Sequence, residues 1–462
     1  MKILAIIAVI FSFLLGSKLY IYWRLSRSSW VFSRYKKSLA ATLLLVFICE
    51  VGFWILAKDL RFYDVGYNVL GLCVAITYCL FVACLCVDIL WLCGKALSKM
   101  LKKVDSRNTQ NLHKQADSTF LSSRDFRKEI AAIHGANLES AFSKVDSRDS
   151  KGCGDSRDSR HSKDSSGTHA IAQSLESHAP MPLSRRKSLK ILHDLGVFGL
   201  FFLFFFTSRN NALHTPPVRN VAIPLPKLKQ QKRIAMISDV HIGHILKAEF
   251  LERIVARINT LNADIVVIVG DLIDDDIRKI SKEFGALQAI ASKEGVFYVN
   301  GNHEYYHGIA PIMEFMRKSG VRVLDNESIE LSGFNLAGVN DLAGLRFKEY
   351  EPNLERAKQD LNPSKPSILL AHQPKFARLY DVSEFDLVLS GHTHAGQVFP
   401  MSIFVWLDQH YIHGLYNHTK DTKLYVSSGA GFWGPSFRFL APSEIVCIDL
   451  LPSESAHNTQ IS

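Results

Sequence analysis

The stretch Ile234-Ala-Met-Ile-Ser-Asp239-Val-His241 decides how this chain is read: a short apolar run breaks off into a carboxylate and an imidazole two residues apart. The same pattern recurs in Ile265-Val-Val-Ile-Val-Gly270-Asp271-Leu-Ile-Asp274 and in Val296-Phe-Tyr-Val-Asn-Gly301-Asn302-His303-Glu304. It returns in Ile368-Leu-Leu-Ala-His372 and in Leu387-Val-Leu-Ser-Gly391-His392-Thr-His394. Short β-branched runs bounded by Gly and polar residues read as buried strands. The strands expected are 234–238, 264–269, 296–299, 334–339, 368–371, 386–389, 424–427 and 445–450, with helices over 250–261, 277–292 and 311–319. Their alternation predicts an α/β fold. Polar residues at the carboxyl ends of strands are where such sheets place their sites.

In Asp-x-His and His-x-His, residues two apart on a turn can enter one pocket. Gly270, Gly301 and Gly391 read as positions whose backbone angles a side chain would hinder. Carboxylate and imidazole without thiolate suit Mn, Fe, Zn, Ni or Mg. Of the eight cysteines only Cys447 falls after residue 232, which excludes an intramolecular disulfide there, and no CxxC zinc pattern occurs.

Taken in order, these five blocks resemble the calcineurin-like metallophosphoesterase superfamily over 233–450. The resemblance implies a four-layer α/β/β/α sandwich and two divalent metal ions. One ion would be held by Asp239, His241, Asp271 and His394, the other by Asp271, Asn302, His372 and His392, with Asp271 shared. His303 would stabilise the transition state or protonate the leaving oxygen, and Asp274 and Glu304 would orient ligands. The implied activity is that of a metal-dependent phosphoric ester hydrolase, in which a hydroxide bridging the ions attacks phosphorus in line.

The tail, Gly414-Leu-Tyr416, Tyr425-Val-Ser-Ser-Gly429-Ala-Gly431-Phe-Trp-Gly434-Pro-Ser-Phe-Arg438 and Pro442-Ser-Glu444, is similar to a membrane-associated branch of that superfamily, the transmembrane proteins with a metallophosphoesterase domain. This implies a phosphodiester on a lipid-linked or envelope substrate of the UDP-2,3-diacylglucosamine type. A phosphomonoesterase or protein phosphatase with the same metals stands as an alternative, as does a non-enzymatic membrane module with a structural metal site. Arg438 reads either as a phosphate-binding fork or as a structural residue. The run from Phe399 to Leu407 reads either as an apolar lip for acyl chains or as a core strand plus loop. His244, His307, His410, His413 and His418 receive no role.

The net charge of +10 is unevenly spread. Residues 1–232 carry 33 Lys/Arg against 16 Asp/Glu, and residues 233–462 carry 21 against 28. The half bearing the polar blocks is therefore acidic, which argues against nucleic acid as a substrate. The basic half contains apolar stretches at 3–22, 38–57 and 68–93, each close to the roughly 20 residues that cross a bilayer. Glu50 and Asp88 interrupt these runs and read as lying near helix ends or bonding between helices. Basic loops after the first and third stretches place those loops in the cytoplasm and the 58–68 loop outside.

The domains expected are a membrane region with three transmembrane helices over 1–94 and a disordered, cytoplasmic linker over 95–183 that repeats Asp-Ser-Arg. After them come a segment at 184–208, a linker at 209–232, the metallophosphoesterase domain at 233–451 and a tail at 452–462. Arg185-Arg186 before the apolar run 195–206 reads as a retained twin-arginine export signal or as a fourth transmembrane helix. The first reading makes the twin-arginine export machinery a partner. Both predict a multi-pass protein of the cell (inner) membrane with its catalytic domain on the extracytoplasmic side.

Overall fold

The computed structural model describes residues 2–60, 64–133 and 184–453. They form two compact units, Met1–Cys84 with His193–Ser462 and Leu85–Leu192. Helices α1 (Lys2–Ser28), α2 (Lys36–Leu60), α3 (Asp64–Ile133) and α4 (Arg185–Leu213) come first. Among the described residues, two segments are long and apolar enough to cross a membrane, Gly66–Val104 of α3 and Arg186–Leu213 of α4. In the first unit Lys18 of α1 bonds Glu50 of α2, both out of contact with solvent. This is the helix-to-helix role expected of Glu50.

Residues 95–133, expected within a disordered linker, are helical as the continuation of α3. No Gly or Pro occurs between Lys95 and Ile133 to break the helix. The rest of that linker, 134–183, lies outside the described residues, as does the tail from 454.

Among the described residues there are twelve strands: β1 (Val218–Leu225), β2 (Lys232–Ile237), β3 (Ile265–Val269), β4 (Val296–Val299), β5 (Arg322–Val323), β6 (Glu327–Glu330), β7 (Asn335–Gly338), β8 (Ser367–Leu370), β9 (Leu387–Ser390), β10 (Gly414–Asn417), β11 (Lys423–Val426) and β12 (Ile445–Pro452). They build two six-stranded sheets, ordered β1-β12-β2-β3-β4-β5 and β10-β11-β9-β8-β7-β6. Side chains alternate across each sheet. Ile234 and Met236 of β2 face the second sheet, where they meet Leu336, Leu370 and Leu389. Ala235 and Ile237 face outward onto α5 (Ala248–Asn259), which contributes Phe250, Leu251, Ile254 and Ile258. The second sheet buries its outer face, including Leu369 and Val388, against Phe376 and Leu354. Helix on sheet on sheet on helix gives the four-layer sandwich expected.

Two expectations need correction. Residues 209–232 are no linker: α4 runs to Leu213, and β1 pairs in parallel with β12 from Val218↔Ile445 to Leu225↔Pro452. Arg219, Asn220 and Pro224 hide this strand in the sequence, and Pro224 is tolerated because β1 is an edge strand. The helix expected over 277–292 is a single α-turn, Ile277–Ile280, followed by a 3₁₀ stretch, Ser281–Ala289.

Candidate metal centre

The parallel strands β2, β3 and β4 of one sheet and β8 and β9 of the other end toward a common point. Asp239 and His241 follow β2, Asp271 follows β3, Asn302 and His303 follow β4, His372 follows β8, and His392 and His394 follow β9. Asp239, His241 and His394 offer ligand atoms within 4.8 Å of one another, and so do Asp271, His372 and His392. His241 and Asp271 also cluster with His303, so Asp271 stands between the two groups. Asn302 joins the second group, its Oδ1 3.3 Å from His372 Nε2.

The backbone is bent to achieve this. Asp239, His241, Asp271, His392 and His394 all adopt positive φ, between 48° and 70°. Such angles are costly for residues with a Cβ and concentrate at functional sites. Of the three glycines, only Gly270 needs its backbone freedom, at φ 77°. Gly301 and Gly391 are required for lack of bulk, since a Cβ would lie 2.3 Å from Asp271 Oδ1 and 2.4 Å from Asp239 Oδ2 respectively.

The donors fit divalent cations. Burial favours the neutral form of three imidazoles, pushing His241 down to about 4, His392 to about 3 and His394 well below its usual value, whereas at His372 burial is outweighed by the neighbouring Asp271, which raises its pKa. His241 Nε2 and His394 Nε2 face each other at 3.0 Å, and His241 Nδ1 is buried with no hydrogen-bond partner. His372 bonds the Val269 carbonyl through Nδ1 at 2.9 Å, which leaves Nε2 pointing at Asp271 Oδ2, 3.2 Å away. A backbone acceptor on the outer nitrogen is the usual way of fixing the tautomer of a liganding histidine. Buried carboxylates and lone pairs converging in this way call for positive charge at their centre.

Around the candidate ligands lies a layer of orienting contacts. The Glu304 carboxylate accepts from the N–H groups of Gly301, Asp271, Leu272 and Ile273 at 2.7–3.1 Å, clamping the β3 loop to the β4 loop. Burial and then the neighbouring Asp271 push its pKa up to about 7, while these donors favour the anion. Asp274 Oδ1 lies 2.7 Å from His303 Nδ1 and 3.0 Å from His307 Nε2. Burial disfavours a charged His303, but Asp271 and Asp274 outweigh it and raise its pKa to about 9. His307 was given no role from the sequence. Its spacing of four from His303 was the available signal.

Arg438 is placed differently from its reading as a phosphate fork. Its side chain is fully buried, and its N–H groups go to the carbonyls of Ala441, Gly431, His394, Ser428 and Pro442 and to His394 Nδ1. With every donor committed, it supports the turn bearing His394 and has none left for a substrate.

The comparisons with known proteins agree with this geometry. A family described as calcineurin-like phosphoesterase matches residues 232–396. An uncharacterized metallophosphoesterase of Campylobacter jejuni is 48% identical over 263 residues, covering 57% of this chain and 70% of its own. One from Helicobacter pylori is 45% identical, covering 59% of this chain and 74% of its own. A zebrafish (Danio rerio) transmembrane protein with metallophosphoesterase domain is 35% identical, covering 52% and 58% respectively.

Proposed function

This chain belongs to the calcineurin-like metallophosphoesterases, metal-dependent hydrolases that bind two divalent ions, and from that premise we propose that it cleaves a phosphodiester on a lipid-linked or envelope molecule at the membrane. Asp239, His241, Asp271 and His394 would hold one ion and Asp271, Asn302, His372 and His392 the other. When bound, such a pair lowers the pKa of water and neutralises charge on phosphoryl oxygens.

The chain's own residues supply the rest. His303 is held by the Asp274 carboxylate at Nδ1, so Nε2 is the atom that gives a proton to the leaving oxygen. Its backbone N–H donates to Asp271 Oδ1 at 2.8 Å, fixing the imidazole relative to the shared carboxylate. Glu304 keeps the two loops in register.

The observation that carries the preference for a diester is the commitment of the nearby cations. Arg438 has no donor to spare, and Lys375, close to His372 in sequence, pairs with Asp408 at 3.0 Å. A dianionic monoester gains no clamp from Arg438 and meets Lys375 only in competition with Asp408, whereas a diester carries a single negative charge.

Membrane attachment rests on α3 and α4, whose two ends nearest the catalytic domain lie on one side. The Tyr67 ring near the start of α3 is 5.8 Å from that of His244, and the end of α4 leads into β1. With Arg186, Lys187 and Lys190 at the other end of α4, the positive-inside rule puts the domain on the extracytoplasmic face of a multi-pass inner-membrane protein. Arg185-Arg186 makes twin-arginine export a route for placing it there.

The test uses the full chain in detergent, loaded with Mn. Hydrolysis of bis(p-nitrophenyl) phosphate is compared with that of p-nitrophenyl phosphate, with Asp271→Asn as the blank. Faster metal-dependent cleavage of the diester is expected. A preference for the monoester overturns the reading in favour of a phosphatase.

A further inference from the structure

The run read from the sequence as an apolar lip or as a core strand plus loop forms a helix spanning Met401–Gln409. It does not look like the helix of a water-facing domain. Met401, Ile403, Phe404, Trp406 and Leu407 are each between 46% and 59% exposed, and only Gln409 is buried. Phe399, immediately before it, is half exposed, and Leu440 beside it is 73% exposed. Soluble surfaces scatter such residues singly; a contiguous apolar patch marks a contact surface.

What covers the patch follows from its neighbours. Val398 bridges Phe439, whose carbonyl accepts from the Phe399 N–H. Phe437 and Phe439 pack against Ala75, Tyr78 and Cys79 of α3, and Phe201, Phe204 and Phe205 of α4 close over them. Tyr78 meets both phenylalanine rings edge-on, at 5.5 and 5.7 Å. The exposed helix therefore continues directly from a seam made with the two segments that are long and apolar enough to span a bilayer.

The helix is also tied to the metal centre. At one end Ser402 packs on Gly396, in the turn that begins with His394. At the other, Gln409 Oε1 accepts from the Lys375 N–H, and Lys375 lies three residues beyond His372. It thus bridges the loops that follow β8 and β9.

We propose that Met401–Gln409 lies in the boundary between headgroups and acyl chains of the bilayer that anchors the protein, so that the metal centre opens at the lipid surface. The proposal rests on the membrane attachment given above and goes beyond it, because it assigns a surface of the catalytic domain itself to lipid. An apolar helix rich in Trp, Phe and Leu is suited to that depth. The substrate class follows: an amphiphile whose phosphoester sits at headgroup level.

The test reconstitutes the full chain in phosphatidylethanolamine/phosphatidylglycerol vesicles, with and without acyl-chain-brominated phosphatidylcholine, which quenches tryptophans that reach the chains. Trp406→Phe is expected to remove part of the quenchable emission, and so is Trp91→Phe, which reports on α3. If Trp91 emission is quenched but Trp406 emission is not, the anchor is in the bilayer and this proposal is overturned. If neither is quenched, membrane attachment fails as well. A second variant, Phe404→Ser with Leu407→Ser, changes exposed positions only. It is expected to keep hydrolysis of bis(p-nitrophenyl) phosphate in detergent and to lose at least about tenfold against a phosphodiester lipid embedded in vesicles. Equal retention of both activities overturns the proposal.

Discussion

Asp271 is the residue on which both ligand groups depend, since its carboxylate is within reach of His241 on one side and His372 on the other. Asp271→Asn keeps the shape and removes the charge, so turnover is expected to vanish and metal content, read by elemental analysis, to fall at both sites. His303→Asn should behave differently. Metal content stays, and the loss in kcat depends on the leaving group: roughly 10²–10⁴-fold for an alkoxide that needs a proton, and far less for p-nitrophenolate. A loss independent of leaving group would remove His303 from proton transfer. These residues were legible in the sequence because their chemistry is carried by side chains placed just after apolar runs. Arg438 was not, since the carbonyls that absorb it come together only when residues 428–442 fold around it. The bulk limit at Gly391 was invisible for the same reason: the atom it must avoid, Asp239 Oδ2, belongs to the loop that follows a strand of the other sheet.

At the level of elements, strands made of uninterrupted β-branched and aromatic residues were read within a residue or two of their observed bounds, as at 265–269 and 296–299. Those missed are edge or near-edge strands whose pairing partners, rather than their composition, make them strands. β1 is the instructive case: only Ile223 and Leu225 are fully buried in it, yet they complete the core between the sheets. Ile223→Ala is expected to cost about 2–4 kcal/mol and to lower the thermal midpoint of the full chain by several degrees. No change in midpoint would mean that residues 209–232 behave as a linker after all. The helix Met401–Gln409 was ambiguous because its periodicity carries no information: when nearly every face is apolar, neither helix nor strand alternation can show.

Across the molecule, the two sheets are joined near the site by Glu444, which precedes β12 of one sheet and accepts from Tyr425 Oη of the other, from the Ser428 N–H and from His413 Nε2. Burial opposes its ionisation, but these partners, His413 first, outweigh that and hold its pKa below the usual 4.5. A depressed carboxylate contributes stability that is present above its unfolded pKa and is lost as pH falls through the folded one. The thermal midpoint of Glu444→Gln should therefore lie below that of the wild type at pH 6, and the gap should narrow as pH falls below about 4.5. A gap that does not narrow on acidification would point to packing instead. The same scale holds one last consequence. The end of α4 is built into the catalytic domain: Ser208 and Asn211 give carbonyls to the Arg438 N–H and Ser443 Oγ, Arg209 bonds Ser436, and Ala212 sits in the core. There is no leash between anchor and catalyst. If its substrate is the lipid-borne phosphodiester proposed above, an enzyme mounted so rigidly meets what drifts past in the plane. Its rate should follow the mole fraction of substrate among the lipids, falling by about half when inert lipid is doubled at constant total substrate, as mass action in two dimensions requires.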